Sequence, residues 1–368
     1  MVTTNNFFNE YAIFRLHLTN IAGIGAVRLI QSLLPSIVIQ DKCVLEQVYI
    51  PENRDIVDVT LFDSRTKVSV YKRYLPNSVS RFLECTVFGS KFNGDSPLLV
   101  LGDIPLRCRA PQIVFLQNKL LLDDLTYVDK RDYLKYWILQ SLFKRNLKYV
   151  DSFIVQTTGM KDQLVRLYPS FKERVHVIAQ PVPEWLIDSR IQRLVSNYDM
   201  NQGLKLFYPA AFYPHKNHKL LNNIHNPEVW PIDSLILTIP VDSHPSSKAK
   251  WINCKGMLSP EAILNEYREA NALLFLSFTE SYGFPLVEAM WLGLPIICPD
   301  LEYARNLCGN QAIYFSPQSV NSLYLAVNEL NFRLRSGWWP NWSEQLTEIP
   351  EDWLSVASSM IEVALIKR

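Results

Sequence analysis

The sequence contains no apolar run near the roughly 18 to 20 residues that cross a bilayer, so no transmembrane helix is expected. Its N-terminal segment lacks the order of basic start, apolar core and small-residue cleavage site, so no signal peptide is expected. The cysteines at 43, 85, 108, 254, 298 and 308 show no Cys-x-x-Cys spacing. They read as reduced, mostly buried thiols, not a zinc site. The six histidines form no His-Glu-x-x-His pair. No Gly-x-Gly-x-x-Gly follows a strand pattern, which counts against a dinucleotide dehydrogenase. Internal repeats and low-complexity tracts are absent.

What is present is a globular composition, 48% hydrophobic and 12% aromatic, over 368 residues. That length fits two domains, each with its own core. Net charge is only +1, but it is unevenly spread. Residues 1–183 carry 23 Lys and Arg against 17 Asp and Glu, a net of +6; residues 184–368 carry 14 against 19, a net of −5. A basic first half suits anionic lipid headgroups or pyrophosphate-linked molecules; ordinary surface variation explains it equally well.

Residues 280–288, Glu-Ser-Tyr-Gly-Phe-Pro-Leu-Val-Glu, are the most informative stretch. The apolar run 272–276 before them reads as a buried parallel strand. Pro285 suits the first position of a helix, and Gly293 the position past its end. Residues 295–298 read as the next strand. The result is a βαβ unit whose loop lies at a strand's carboxyl end, where open α/β sheets bind ligands. The N–H groups of Gly283 and Phe284, with the helix dipole, suit a phosphate. Glu288, one turn in, can accept two hydrogen bonds from a ribose diol, and Glu280 can reach a group beyond the phosphates. Taken alone, Glu-x7-Glu is more simply a capped helix with two solvated glutamates; the βαβ context favours a nucleotide-sugar site.

This segment resembles the donor-site signature of retaining GT-B glycosyltransferases of family 4 (glycosyltransferase group 1). The resemblance runs through residues 289–297, Tyr303-Ala304-Arg305 and Cys308-Gly309, and upstream to Lys255–Ser259, Ile263-Leu264 and Tyr267. A second block, residues 207–218, is similar to the family's basic element after the first strand of the nucleotide domain. The match is good over about 204–330, moderate over 110–183 and weak over the first hundred residues. It departs from the pattern at Ala211, where the family carries an Arg that binds diphosphate together with the Lys. Lys216 remains, with His215 and Asn217 as substitutes. Leu276 and Asn306 are two further departures.

The resemblance implies an α/β chain of GT-B architecture: two Rossmann-like doubly wound domains facing a central cleft. Residues 1–183 would bind acceptor, joined by a C-terminal crossover helix at about 352–368, and 184–351 would bind the nucleotide-sugar. Lys216 and Glu280 are the expected catalytic groups, Glu280 in a binding or electrostatic role. Gly283, Phe284, Pro285, Glu288, His215 and Asn217 are the expected donor contacts. No metal is expected: Asp123-Asp124 is not the Asp-x-Asp of metal-dependent transferases, and at His215 and His218 phosphate contact or capping reads ahead of a metal pair.

Elsewhere, residues 44–49, 56–61 and 68–71 read as strands of the first domain. The Gly23 and Gly25 loop enters a helix and, in a GT-B fold, lies at the cleft; on sequence grounds a plain tight turn reads ahead of that. Strands at 97–101 and 113–116 follow, the second ending at Gln117-Asn118, which suit acceptor contact or loop bracing. Residues 130–148 form a basic helix interleaved with Tyr133, Leu134, Trp137, Ile138, Leu142 and Phe143. It reads as a domain helix with its aromatic face in the core, or as a membrane-surface helix. Residues 178–183, with two prolines, mark the domain boundary.

The expected activity is hexosyl transfer, with retention, from a nucleotide diphosphate-sugar to a hydroxyl of a glycan or lipid-linked acceptor, in bacterial surface polysaccharide or lipopolysaccharide synthesis. The expected setting is cytoplasmic, with peripheral contact to an anionic membrane and no nucleic-acid partner. Three alternatives stand beside it: a non-catalytic nucleotide-sugar-binding subunit, a nucleotide-sugar epimerase, or a sugar phosphorylase on the same fold.

Overall fold

The computed structural model describes residues 12–21, 24–41, 43–52, 57–75, 77–128, 130–189, 199, 201–246 and 248–366. The chain divides into two compact units. The first comprises Met1–Leu122, Lys135–Ile178 and Trp353–Arg368; the second comprises Asp123–Leu134 and Ala179–Asp352.

The first unit is built on seven parallel strands: β1 (Ala12–His17), β2 (Cys43–Pro51), β3 (Lys67–Tyr71), β4 (Leu98–Val100), β5 (Gln112–Leu116), β6 (Ser152–Val155) and β7 (Val175–Val177). Their order is β3-β2-β1-β4-β5-β6-β7. The second unit has six: β8 (Leu204–Tyr208), β9 (Ile232–Leu237), β10 (Ile252–Cys254), β11 (Ala272–Leu274), β12 (Ile296–Pro299) and β13 (Ile313–Phe315), in the order β10-β9-β8-β11-β12-β13. Both are doubly wound α/β sheets. Each reverses strand order once, between β1 and β4 in the first and between β8 and β11 in the second. Such a reversal leaves a crevice at the strands' carboxyl ends.

The central strands are buried on both faces, as parallel strands flanked by helices must be. All three residues of β4 and of β11 are buried, and Phe275 and Leu276 extend the buried run past β11. Each buried Leu, Val or Phe among them contributes about 1.5–3 kcal/mol of transfer free energy. Around them, Phe143, Phe153 and Leu164 pack in the first unit, and Tyr267, Met290 and Leu330 in the second.

Several elements differ from the sequence expectation. β1, an interior strand of its sheet, breaks the apolar pattern with Arg15 and His17, both buried. Arg15 satisfies its guanidinium on the carbonyls of Phe92, Asn93 and Ser96. Residues 57–61 form no strand; Val59–Leu61 is a short 3-10 turn capped by Asp58, and 53–56 lie outside the described residues. The helix expected at 130–148 spans Lys130–Asn146 and divides the two readings of its aromatic face. Leu142 and Phe143 are buried, whereas Tyr133, Leu134, Trp137 and Ile138 are exposed, Leu134 by 63%. Among the described residues no helix is long and apolar enough to cross a membrane.

Helix Trp353–Leu365 belongs to the first unit, where it packs on helix Ile24–Val38 and on β1 and β5.

Candidate functional site

The reversal point of the second sheet gathers the charged residues. Two loops meet there: Pro209–Asn217 after β8 and Phe275–Tyr282 after β11. The His215 carbonyl accepts from Phe278 N at 2.8 Å and from Ser277 Oγ at 3.2 Å, which ties one loop to the other. Tyr208, the last residue of β8, holds the Lys216 carbonyl through its hydroxyl at 2.8 Å. The Lys216 ammonium then lies 2.5 Å from Glu280 Oε1, with the side chains 17% and 11% exposed. A pair so placed is screened far less than one on the surface.

Asp123 adds a third charged group that sequence reasoning did not place here. Its Oδ2 accepts from Thr279 Oγ1 at 2.7 Å, one residue before Glu280. The only sequence signal was its acidity; its position depends on segment 123–134 folding with the second unit.

The residues beside Lys216 do not supply a second cation. Burial, then the neighbouring Lys216 charge, pushes His215 down to about 4, so it is neutral at pH 7. Its ring stacks on Tyr213. The Asn217 side-chain amide is engaged with the Pro317 carbonyl at 2.9 Å, and its backbone is left-handed. His218 is 3% exposed between Tyr208 and Phe212, and neither ring nitrogen finds a partner. It too is held at about 4 by burial.

The helix after the second loop spans Phe284–Trp291, so Phe284 is its first residue and Pro285 its second, one place later than the sequence suggested for the proline. The shift follows from Gly283, whose φ of +93° makes it the N-cap in a left-handed conformation. The first N–H groups to reach a carbonyl are those of Leu286 and Val287, both on Gly283 O. The N–H groups of Gly283 and Phe284 precede that first bond, and Pro285 has none, so the helix presents an open amino end. The other end closes as a Schellman motif: Gly293 N donates to Met290 O and Leu294 N to Ala289 O, with Gly293 at φ +73°.

Glu288 lies one turn into this helix and is buried. Its Oε2 accepts a 2.7 Å hydrogen bond from the Tyr267 hydroxyl. Burial and the Glu288 carboxylate raise the Tyr267 phenol well above its ordinary range, which keeps it a donor. The orienting role of Tyr267 was not evident from sequence.

In the first unit, Gly23 lies outside the described residues. Gly25 sits in the first turn of helix Ile24–Val38, where an added Cβ would meet only open space. The Gln117 and Asn118 N–H groups both donate to Asp103 Oδ1, at 2.6 and 2.9 Å. The Asn118 side chain caps Leu120 N and the Gln117 amide reaches Leu101 O. These contacts are loop bracing. Burial pushes the Asp103 carboxyl up to about 6 against those two bonds.

Comparison with solved structures places the fold. Sucrose-phosphate synthase from Thermosynechococcus elongatus superposes with a TM-score of 0.62 at 12% identity, over 96% of this chain and 98% of that one. WaaG, a glycosyltransferase involved in lipopolysaccharide biosynthesis, gives 0.61 at 12%, over 96% and 100%. HepE from Anabaena, solved with UDP and glucose, gives 0.52 at 13%, over 96% and 97%. The fold is GT-B.

At these identities the likeness is one of GT-B architecture. Sequence comparison adds two mannosyltransferases. The chain is 25% identical over 199 residues to the O-antigen chain mannosyltransferase RfbU of Salmonella typhimurium, covering 51% of this chain and 53% of that protein. It is 30% identical over 100 residues to the serotype-specific mannosyltransferase WbdA of Escherichia coli, covering 27% of this chain and 12% of that protein. The chain thus spans about half the length of the first relative and far less of the second. No family model matches the chain.

Proposed function

We propose that this GT-B protein is a glycosyltransferase that moves a hexose, with retention, from a nucleotide diphosphate-sugar to a hydroxyl of a glycan or lipid-linked acceptor in surface polysaccharide synthesis. The Lys216–Glu280 pair beside the open amino end of helix Phe284–Trp291 carries the reading. The helix end and Lys216 supply fixed positive potential for a diphosphate leaving group, and fixed donors stabilise developing charge without reorganising. Glu288, oriented by Tyr267, takes the ribose. Glu280 takes sugar hydroxyls near the reacting carbon and sets the Lys216 ammonium. The similarity to two mannosyltransferases supports mannose as the first sugar to test.

One observation favours a second reading, a nucleotide-sugar-binding subunit without turnover. With Ala211 in the sequence and His215 neutral, Lys216 is the cation this loop offers the diphosphate.

Calorimetry with UDP, GDP and ADP and their sugar conjugates, with and without EDTA, tests both. Binding of one nucleotide family, weakened by Glu288→Ala and indifferent to EDTA, is expected. Release of nucleotide diphosphate on adding a glycan acceptor separates the transferase from the silent subunit. Failure of every nucleotide to bind would remove both.

A further inference from the structure

The loop that carries Glu280 is held from three sides. Ser277 Oγ bridges the His215 and Thr279 carbonyls at 3.2 and 3.1 Å, and the Tyr303 hydroxyl donates to Ser277 O. Ser277 is wholly buried and Thr279 is 6% exposed. The Thr279 hydroxyl in turn donates to Asp123 Oδ2 at 2.7 Å. Consecutive residues of one fixed loop therefore present two carboxylates, Glu280 directly and Asp123 through Thr279. Both act on the His215 ring, each opposing the burial and the Lys216 charge that hold it neutral.

Against these two carboxylates the loops after β8 and β11 set one cation, Lys216. Its ammonium lies on Glu280, and His215 and His218 are neutral at pH 7. On the transferase reading that ammonium and the amino end of helix Phe284–Trp291 face the diphosphate, and Glu280 faces the sugar. An ionised carboxylate accepts hydrogen bonds and offers none. It suits the hydroxyls of a neutral sugar, each of which can donate. It repels the carboxylate of a uronic acid, and in a part-buried site that repulsion is weakly screened. A loop fixed by buried hydrogen bonds does not turn its charges aside to relieve it.

We propose that Asp123 is a specificity-determining residue of the donor site, and that with Glu280 it selects nucleotide conjugates of neutral hexoses over those of uronic acids. This rests on the transferase reading and deepens it. It adds a second carboxylate to the sugar end of the site and names a class of sugar that the site turns away.

The test is calorimetry of the full chain with matched donor pairs, UDP-glucose against UDP-glucuronate and GDP-mannose against GDP-mannuronate, with UDP and GDP as references. For the base that binds, the neutral conjugate is expected to bind at least roughly tenfold more tightly than the uronate. Asp123→Asn is isosteric, keeps an oxygen for the Thr279 hydroxyl and removes the charge. It should cut the ratio to about threefold, since one of two repelling charges is gone, whereas a steric rejection would not change. Asp123→Glu keeps the charge and should retain most of the preference. Equal affinity for the two members of a pair, or a ratio that Asp123→Asn leaves unchanged, would overturn the proposal. The wild-type ratio is a test in itself should the Asn variant fail to fold. If the nucleotide binds and its neutral and uronate conjugates do not differ, this proposal falls and the transferase reading stands. If no nucleotide binds, the reading beneath it falls too.

Discussion

The Lys216 ammonium lies 2.5 Å from the Glu280 carboxylate, each carried by a loop that follows a strand at the reversal point of the second sheet. Removing either partner leaves the other charge poorly solvated, yet the two losses should differ. On the proposed reading, Lys216→Ala removes the cation that faces the leaving group and should lower kcat about 10²- to 10³-fold, the size of one lost transition-state donor. Glu280→Gln frees Lys216 for phosphate, so nucleotide diphosphate affinity should hold or rise while turnover falls. Calorimetry and initial rates on the two variants separate these signatures. Parallel losses of affinity in both would contradict the division of roles.

On the proposed reading, Tyr267 acts through Glu288, which its hydroxyl holds. Tyr267→Phe keeps the ring packed against Phe207 and removes only the 2.7 Å bond to the carboxylate. Hydrogen bonds to charged groups are worth about 1.5–3 kcal/mol, so nucleotide affinity should fall by roughly tenfold or more. A change of sugar, ribose to 2′-deoxyribose, should lose its penalty in this variant. An unchanged ribose preference would show that Glu288 does not read the sugar.

His215 and His218 sit at about 4, below the ordinary 6.5. Each binds fewer protons folded than unfolded, so stability is full above about 6.5 and declines as pH falls toward 4. His218→Leu removes two unpartnered ring nitrogens from the interior and should raise the melting temperature of the second unit, most at acidic pH. Thermal scans between about pH 4.5 and 7.5 check this slope. The neutral His215 carries a matching expectation for ligand binding: above about pH 6, His215→Asn should leave the pH profile of nucleotide affinity unchanged.

The exposed face of helix Lys130–Asn146 predicts peripheral membrane contact. Tyr133→Ser with Trp137→Ser should reduce partition onto phosphatidylglycerol vesicles roughly tenfold in a sedimentation assay, and raised salt should weaken the wild type toward that level. Partition indifferent to both would leave that face without a membrane role.

Much of the second sheet was legible because its strands are short apolar runs bounded by turn residues. Ala272–Leu274 and Ile296–Pro299 follow that rule, and the glycines at 283 and 293 mark both ends of the helix between them. The first sheet was harder to read for a physical reason. β1 buries Arg15 and His17, and their hydrogen bonds to distant carbonyls and to Glu84 are invisible in a local pattern. The same holds within the site. Lys216, Glu280 and Glu288 stand out as charges beside a turn, whereas Asp123 and Tyr267 acquire their positions only through tertiary contact. The neutrality of His215 was likewise out of reach, since it follows from burial, not from residue type.

Helix Trp353–Leu365 packs within the first unit although the second unit's last residue, Asp352, immediately precedes it. The polypeptide therefore passes into the second unit twice, over Asp123–Leu134 and over Ala179–Asp352, and returns to the first each time, so the second unit is inserted in the covalent path of the first. Its two ends are anchored, and a cut at 178 does not yield two self-sufficient halves. The shorter piece would lack a helix of its own core, and the longer would carry that helix with its apolar face uncovered. Expression of the first unit requires joining 353–368 back to 178, or supplying it as a separate peptide, and leaves 123–134 without the unit it folds with.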